Sequence, residues 1–434
     1  MSISKIDQSL GQSLRQEIFS TVDCVLSDKK NIYVGYSGGV DSTCLLYILS
    51  TYVKIHPGYR VVAVHIDHGV SQFSEQWMSH CKKQSLLYGA EFITRKVKLT
   101  LSSGQGFENS ARKARMQAFT DIIGSANDSV LFLGHHAKDQ AETFFLRILR
   151  GCGLAGICSI SPKRTFNSLV VSRPLLNLTR GCLEKMVKDL SLPTIEDDSN
   201  LSLVYDRNYI RNQILPHIEN RWPAYQSLIT KTLSHCQEDY SHLQHLIRKK
   251  TNNIATQKFG LFSLSYERFC QCLDVEQSLI LRTYILDQGW YLPSAKQLIG
   301  FLDQIKVANT SSRAELSTAQ YRIIYGRGDI YVLPTWYFSV QPQDFMVNES
   351  ESNYYYKCPN EVSLQIDWSE LQNHGGSEQS YKVIFLRHDN AHEVHTNHVK
   401  HLFQSKNIPV FLRPYTPFLL LNDSNLVLLE FKSI

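Results

Sequence analysis

Residues 37–42 read Ser-Gly-Gly-Val-Asp-Ser, between an apolar run, Ile32-Tyr33-Val34, and a helical one from Thr43 to Leu49. A strand, a glycine turn and a helix start in that order make a cradle for phosphate. Gly38 and Gly39 carry no Cβ, so the backbone can approach an anion closely. The amides of the first helical turn, from Val40 on, then face that anion with the positive end of the helix dipole behind them. Ser37 and Ser42 add hydroxyl donors, and Asp41 could hold a magnesium ion against the phosphates. No Lys follows the second glycine, so the Walker pattern is absent. The plainer alternative is a tight turn that merely uses Ser and Gly; the strand–loop–helix context argues against it.

Four further clusters carry reactive side chains. His65-Ile66-Asp67-His68-Gly69 closes an apolar run, so its polar groups suit the ribose, adenine or metal of a nucleotide, or are a satisfied strand end. In Glu108-Asn109-Ser110-Ala111-Arg112-Lys113-Ala114-Arg115, Arg112 and Arg115 share one helical face, as do Glu108 and Arg112. The pattern suits either a solvated face with internal ion pairs or an Arg held for phosphate or base contact. Gly134-His135-His136-Ala137-Lys138-Asp139-Gln140-Ala141-Glu142-Thr143 sets two carboxylates, Asp139 and Glu142, near two imidazoles. Zinc would want thiolates and a familiar spacing that are missing here. The carboxylates could receive an ammonium group or assist proton transfer, while Asp139 could simply cap a helix. Finally, Glu196-Asp197-Asp198-Ser199-Asn200 precedes Arg207-Asn208-Tyr209-Ile210-Arg211. Arg207 and Arg211 lie one helical turn apart, placed to grip a backbone phosphate.

The elements that would position these groups alternate. Leu10, Leu14, Ile18 and Val22 predict an amphipathic helix from Lys5 to Leu26. Strands are predicted at Arg60–Asp67, Glu91–Val97, Val130–Leu133 and near 169–171, with helices at Glu75–Tyr88, Phe107–Ile123 and Ala137–Arg150. Such alternation implies a parallel sheet with helices on both faces, and ligands at the carboxyl ends of its strands. Past Arg207 the pattern is helical over 209–250, with helices near 275–288 and 294–305. A hairpin, Tyr321–Tyr325 with Ile330–Leu333, is turned by Gly326-Arg327-Gly328-Asp329. A polar stretch from Pro342 to Asn353 reads as a linker. The last part reads as strands around one helix, His395–Lys406, closing on a hairpin across Asn422-Asp423. The expected fold class is α/β: a doubly wound, mostly parallel N-terminal sheet, a mainly helical middle domain and a small α+β C-terminal domain. The expected boundaries are 1–220, 221–340, a linker at 341–353, and 354–434.

At 434 residues the chain is long enough for roughly two to four domains of ~150 residues. The net charge of +5 permits a polyanionic partner without demanding one. Met1 to Leu14 is polar, and no stretch approaches ~18 uninterrupted apolar residues, so neither a signal peptide nor a membrane span is expected. Ten scattered cysteines without a CxxC fit reduced thiols in the cytosol. His388, His392, His395, His398 and His401 tempt a metal reading, but spacing by three drifts around a helix. An RNA-facing surface beside Lys400 and Lys406 is the preferred expectation, with RNA affinity rising as pH falls from about 7.5 to 6.

The Ser37–Ser42 loop resembles the pyrophosphate-binding loop of the ATP pyrophosphatase (PP-loop) superfamily, whose members split ATP into AMP and pyrophosphate to activate an oxygen. With HIDHG, ENSARKAR, GHHAKDQAET, LRGCG (149–153), RPLL (173–176) and the acidic-Asn/Arg-Asn-x-Ile-Arg pair, the chain resembles the tRNA(Ile)-lysidine synthase family. The resemblance returns weakly at Lys400-His401-Leu402-Phe403-Gln404 before Ile408-Pro409. One departure is Lys138, where the family usually has Asp; Asp139 matches the more regular acidic position. The resemblance implies a cytoplasmic ligase that adenylates the 2-carbonyl of the wobble cytidine of tRNA(Ile) with a CAU anticodon, using ATP and Mg²⁺. L-Lysine then displaces AMP to give lysidine, which changes the codon read from AUG to AUA and the identity from Met to Ile. It further implies Ser37 to Ser42, His65 and Asp67 at the nucleotide, Asp41 at the metal, and Asp41, Arg112, His135, Asp139 and Glu142 in catalysis. Asp139, Glu142, Arg112, Arg115, Arg207 and Arg211 would bind substrates, and a homodimer is an assembly open to it. Alternatives are a PP-loop tRNA-thiolating enzyme, for which the missing CxxC is a poor sign, a glutaminase-fed synthetase, and a non-catalytic RNA-binding protein.

Overall fold

Strands buried on both faces lose the polar alternation of surface strands, and this explains the near-continuous apolar runs of the first half. The computed structural model describes residues 3–27, 29–67, 73–97, 107–124, 128–166, 169–195, 205–258, 261–307, 314–339, 345–348, 353–355, 363–365, 380–385, 396–422, 425–428 and 431–432. The chain divides into two compact units, 1–242 and 243–434.

In the first unit six strands form one sheet: β1 (Asn31–Gly35), β2 (Arg60–Asp67), β3 (Glu91–Lys96), β4 (Ser129–Phe132), β5 (Lys163–Phe166) and β6 (Leu169–Ser172). Their order is β3-β2-β1-β4-β6-β5, and every pairing is parallel except β5 with β6. The order turns back at β1, whose neighbours are β2 and β4, so the crevice beyond β1 and β4 is the topological switch point where ligands gather. Helices α1 (Ile3–Leu10), α2 (Gln12–Leu26), α3 (Val40–Ile55), α4 (Ser74–Tyr88), α5 (Phe107–Ile123), α6 (Ala137–Leu149), α7 (Leu154–Ile157) and α8 (Arg180–Asp189) surround it. Successive side chains of a strand point to opposite faces. Ile32, Val34, Val61, Ala63, Val130 and Phe132 accordingly join one core with residues of α2, α3 and α8. Their alternates Tyr33, Val62, Val64 and Leu131 join a second core closed by Phe119 and Ile123 of α5. The doubly wound expectation is thereby met.

Two local differences have plain causes. The helix expected over Lys5–Leu26 is two helices, because Gly11 adopts φ +85° between them. The helical run after Arg207 is also broken: α9 (Asp206–Tyr209) leads into a π-turn (Ile210–Ile214), α10 (Leu215–Arg221) and α11 (Tyr225–Ile254), within which the unit ends. Trp222-Pro223 separates α10 from α11, since Pro disfavours helical geometry in the residue before it.

The second unit holds α12 (Tyr266–Cys270), α13 (Asp274–Asp287) and α14 (Ala295–Lys306) against an antiparallel sheet of β7 (Ala255–Lys258), β8 (Leu261–Ser265), β11 (Asp329–Pro334), β10 (Tyr321–Gly326) and β9 (Ala314–Ser317), in that order. Its hairpin of β10 (Tyr321–Gly326) and β11 (Asp329–Pro334) falls where expected. Arg327 and Gly328 both have positive φ, as the two-residue turn requires. The other face of that sheet, through Ile324, Tyr331 and Leu333, packs on Phe403, Phe411 and Phe418. Phe403 lies on α15 (Thr396–Ser405), and Phe418 lies on a strand, Pro417–Asn422, which turns back into another, Asn425–Leu428. Phe345–Asn348, inside the stretch read as a linker, pairs with Ser380–Phe385. Among the described residues no helix is long and apolar enough to cross a membrane.

Candidate active site

The loop after β1 is shaped by two glycines with different duties. Gly38 has φ +83°, and a Cβ there would meet Ile195 Cδ1 at 2.9 Å and Cys81 Sγ at 3.0 Å. Only glycine is free of both penalties. Gly134, at the end of β4, has no room because its Cβ would lie 3.1 Å from the Asp41 carbonyl. The β4–α6 connection therefore lies directly on the phosphate loop. Inside the loop, Ser42 Oγ accepts from Ser37 N at 3.2 Å and donates to Gly39 O at 3.1 Å. Ser37 Oγ accepts from Gly39 N at 3.4 Å. No side chain caps the N-terminus of α3, whose N-cap residue is Gly39. An uncapped helix start beside glycines fits an anion.

From the loop a chain of polar contacts runs across the carboxyl edge of the sheet. Asp41 Oδ1 accepts from Arg180 Nη1, contributed by α8. His136 Nε2 lies 3.5 Å from Asp41 Oδ1 and 3.6 Å from Asp139 Oδ2. His136 also caps α6: its Nδ1 accepts from Lys138 N at 3.2 Å, while Asp139 Oδ2 accepts from His136 N at 3.0 Å. Burial works against charge on His136, and the carboxylates of Asp41 and Asp139 outweigh it, lifting its pKa above the ordinary value. Lys138 enters this arrangement through its backbone N–H.

Asp139 and Glu142 do come together, as their i, i+3 spacing implied, and Arg207 and Arg211 close over them. Arg207 donates to Glu142 Oε2 and to Asp139 Oδ1, both at 2.8 Å. Arg211 donates to Glu142 Oε1 at 2.6 Å and to Oε2 at 2.9 Å. Burial opposes ionisation of Asp139, but His136 and Arg207 prevail and hold its carboxyl below the usual range. Glu142 is wholly buried, so removing one partner of this cluster would strand an uncompensated charge at a cost of about 3–5 kcal/mol. The residues expected to bind separately, carboxylates for a cation and guanidiniums for phosphate, thus form one closed cluster.

His65 is buried at the end of β2 with Nδ1 3.0 Å from Tyr36 O, and burial lowers its pKa. Asp67 follows, its carbonyl accepting from Val97 N. His68 and Gly69 lie outside the described residues, as do the side chain of Glu108 and residues 196–200. Arg112 and Arg115 are exposed on α5, and both act electrostatically on His135, whose pKa is driven down to about 3, foremost by burial. Of the C-terminal histidines, His388, His392 and His395 and the side chain of His398 lie outside the described residues, and His401 is exposed. Sequence reasoning missed Arg180, and it quoted Gly134 and Arg173 within motifs without a role for either. Arg180 meets Asp41 across 139 positions of chain, a contact that spacing cannot disclose. Among the described residues no three His, Cys, Asp or Glu side chains gather as a metal cage. A magnesium ion fits here as one carried by phosphate and held by a single carboxylate, Asp41.

An uncapped helix start and a glycine loop at the switch point of a doubly wound sheet define a PP-loop, ATP-using domain. Residues 5–218 match the family described as the PP-loop domain. The tRNA(Ile)-lysidine synthase of Coxiella burnetii is 30% identical over 432 residues, 96% of this chain and 92% of its own. That of Photorhabdus laumondii is 32% identical over 328 residues, covering 75% and 72%. That of Serratia proteamaculans is 28% identical over 409 residues, covering 92% and 90%. The chain belongs to the tRNA(Ile)-lysidine synthase family.

Proposed function

We propose that the chain is the ligase that joins L-lysine to the wobble cytidine of tRNA(Ile) bearing a CAU anticodon. In the first step the cytidine 2-carbonyl oxygen attacks the α-phosphorus of ATP, and the α–β phosphoanhydride bond breaks to release pyrophosphate. In the second a lysine amine attacks C2, and the bond from C2 to the adenylate oxygen breaks to release AMP. The observation that carries this reading is the continuous contact chain from Arg180 and Asp41 through His136 and Asp139 to Arg207, Glu142 and Arg211. It joins a phosphate-binding loop to paired carboxylates along one edge of the sheet, as a two-step reaction on one nucleotide requires.

Ser37, Gly38, Gly39, Val40 and Ser42 would hold the phosphates, His65 and Asp67 the nucleoside side, and Asp41 the Mg²⁺ that neutralises phosphate charge. The lysine ammonium would take Asp139 and Glu142 in exchange for Arg207 or Arg211, whose freed guanidinium would pass to phosphate. Arg112 and Arg115 would contact RNA phosphate. Segments 221–340 and 354–434 would serve as tRNA-binding domains around the 341–353 linker, in a cytoplasmic enzyme that a homodimer would suit. Sulfur transfer is disfavoured because the thiols beneath the loop are buried. Burial pushes Cys81 and Cys44 each up to about 12, and a catalytic cysteine needs the reverse. With α-labelled ATP and isoleucine tRNA, AMP should appear only when lysine is added, and lysine-independent AMP release at the full rate would refute the coupling.

A further inference from the structure

Arg173 follows β6 and is 6% exposed, yet no carboxylate pairs with it among the described residues. Its Nη1 donates to Ser161 O at 2.8 Å, and its Nε donates to His135 Nδ1 at 3.3 Å. A guanidinium has no acceptor, so the Nδ1 lone pair must receive this bond. The proton of a neutral ring then sits on Nε2 of this half-buried side chain, and no hydrogen bond to Nε2 forms among the described residues. The charged groups facing the ring are Asp139 on α6, Arg173 after β6, and Arg112 and Arg115 on α5. Three cations against one carboxylate, in packed surroundings, keep the ring uncharged at neutral pH. A neutral imidazole of fixed tautomer can polarise an oxygen without giving up its proton.

We infer that Arg173 is a positioning residue that fixes His135 as its Nε2–H tautomer, making His135 a neutral hydrogen-bond donor to an oxygen of the reacting nucleotide that gains negative charge. The identity of that oxygen rests on the ligase reading above; the tautomer does not. The bland alternative is that Arg173 only tethers the Ser161 carbonyl to the sheet edge.

The test is the ¹⁵N spectrum of the full chain labelled at histidine, with the His135 signals assigned by their loss in His135→Gln. The expected result is an unprotonated Nδ1 and a protonated Nε2 at pH 7, unchanged at pH 5.5. A proton on Nδ1, or a doubly protonated ring at pH 7, would overturn the inference even if Arg173→Met did not fold. In Arg173→Met the ring should lose its single tautomer. Its kcat for lysidine formation should fall by about 10–100-fold, the usual effect of losing a partner that orients a functional imidazole, with KM for ATP and tRNA unchanged. A loss confined to KM for tRNA would instead make Arg173 an RNA-phosphate contact and count against the inference. Absence of lysidine from the parent chain would refute the ligase reading while leaving the spectrum decisive, so the two failures are separable.

Discussion

Asp41 sits between the nucleotide loop and the ion cluster, with its side chain about one-third exposed and bonded to Arg180. Exposed pairs contribute little to stability, typically ~0–1 kcal/mol. Asp41→Ala should therefore lower pyrophosphate release by about 10²-fold or more while shifting Tm by about 2–4 °C at most. Release at the parent rate would remove Asp41 from the chemistry. His135 and Asp139 both make stability fall on acidification. The folded chain holds His135 neutral, with a pKa near 3, while the unfolded ring gains a proton below its ordinary value of 6.5. The stability it contributes is therefore complete above 6.5 and drains away as pH falls from there toward about 3. Asp139 is shifted below its ordinary 3.8, so its contribution is present above that value and lost on further acidification. Thermal melts from pH 7.5 to 4 should show a falling Tm that flattens in His135→Gln; an unchanged slope in that variant would exclude His135. The residue types at Asp139, Glu142, Arg207 and Arg211 were legible from the sequence, but their mutual neutralisation was not. It depends on α9 folding back over α6 from more than sixty positions away.

The elements were legible wherever burial left a periodic trace. β2 shows this best, where Val61, Val62, Ala63 and Val64 serve two cores at once and so read as one apolar run. Shorter or less buried elements left no such trace. β5 is an edge strand whose residues Lys163, Arg164 and Thr165 are exposed, and α8 buries only Leu183 and Met186. The π-turn at Ile210–Ile214 is set by a backbone bond from Leu215 N to Ile210 O, which no side-chain pattern announces. The fit of the β4–α6 connection against the phosphate loop is likewise a matter of backbone distance. Gly134→Ala would force Cβ against the Asp41 carbonyl and Ser42 N, both within 3.2 Å. The expected cost is about 1–3 kcal/mol, as for other overpacked sites, together with a raised KM for ATP as the loop is displaced. A stable variant with parent KM would show that the connection does not shape the loop.

Over the whole molecule, the C-terminal residues Phe403, Phe411 and Phe418 cover apolar side chains of the β8–β11 sheet within the second unit. Deleting 353–434 would strip that face, so weakened tRNA binding by the truncated chain would not by itself locate an RNA surface. Point substitutions avoid the difficulty. His401→Ala with Lys406→Ala should weaken tRNA binding, leave ATP turnover in the first step unchanged at saturating tRNA, and lower the salt slope by ~1 per charge lost. Binding indifferent to both substitutions would exclude this surface. The polar, weakly periodic sequence between Pro342 and Asn353 announced a break in the chain but not the strand pairing of Phe345–Asn348, because register with a distant strand has no local signature. Full-length protein incubated with ATP, Mg²⁺, isotopically labelled lysine and isoleucine tRNA should yield, after nuclease digestion, one labelled nucleoside with the mass of lysidine, formed in step with AMP and pyrophosphate. Unlabelled cytidine at the wobble position, or a sulfur-bearing nucleoside in its place, would contradict the account.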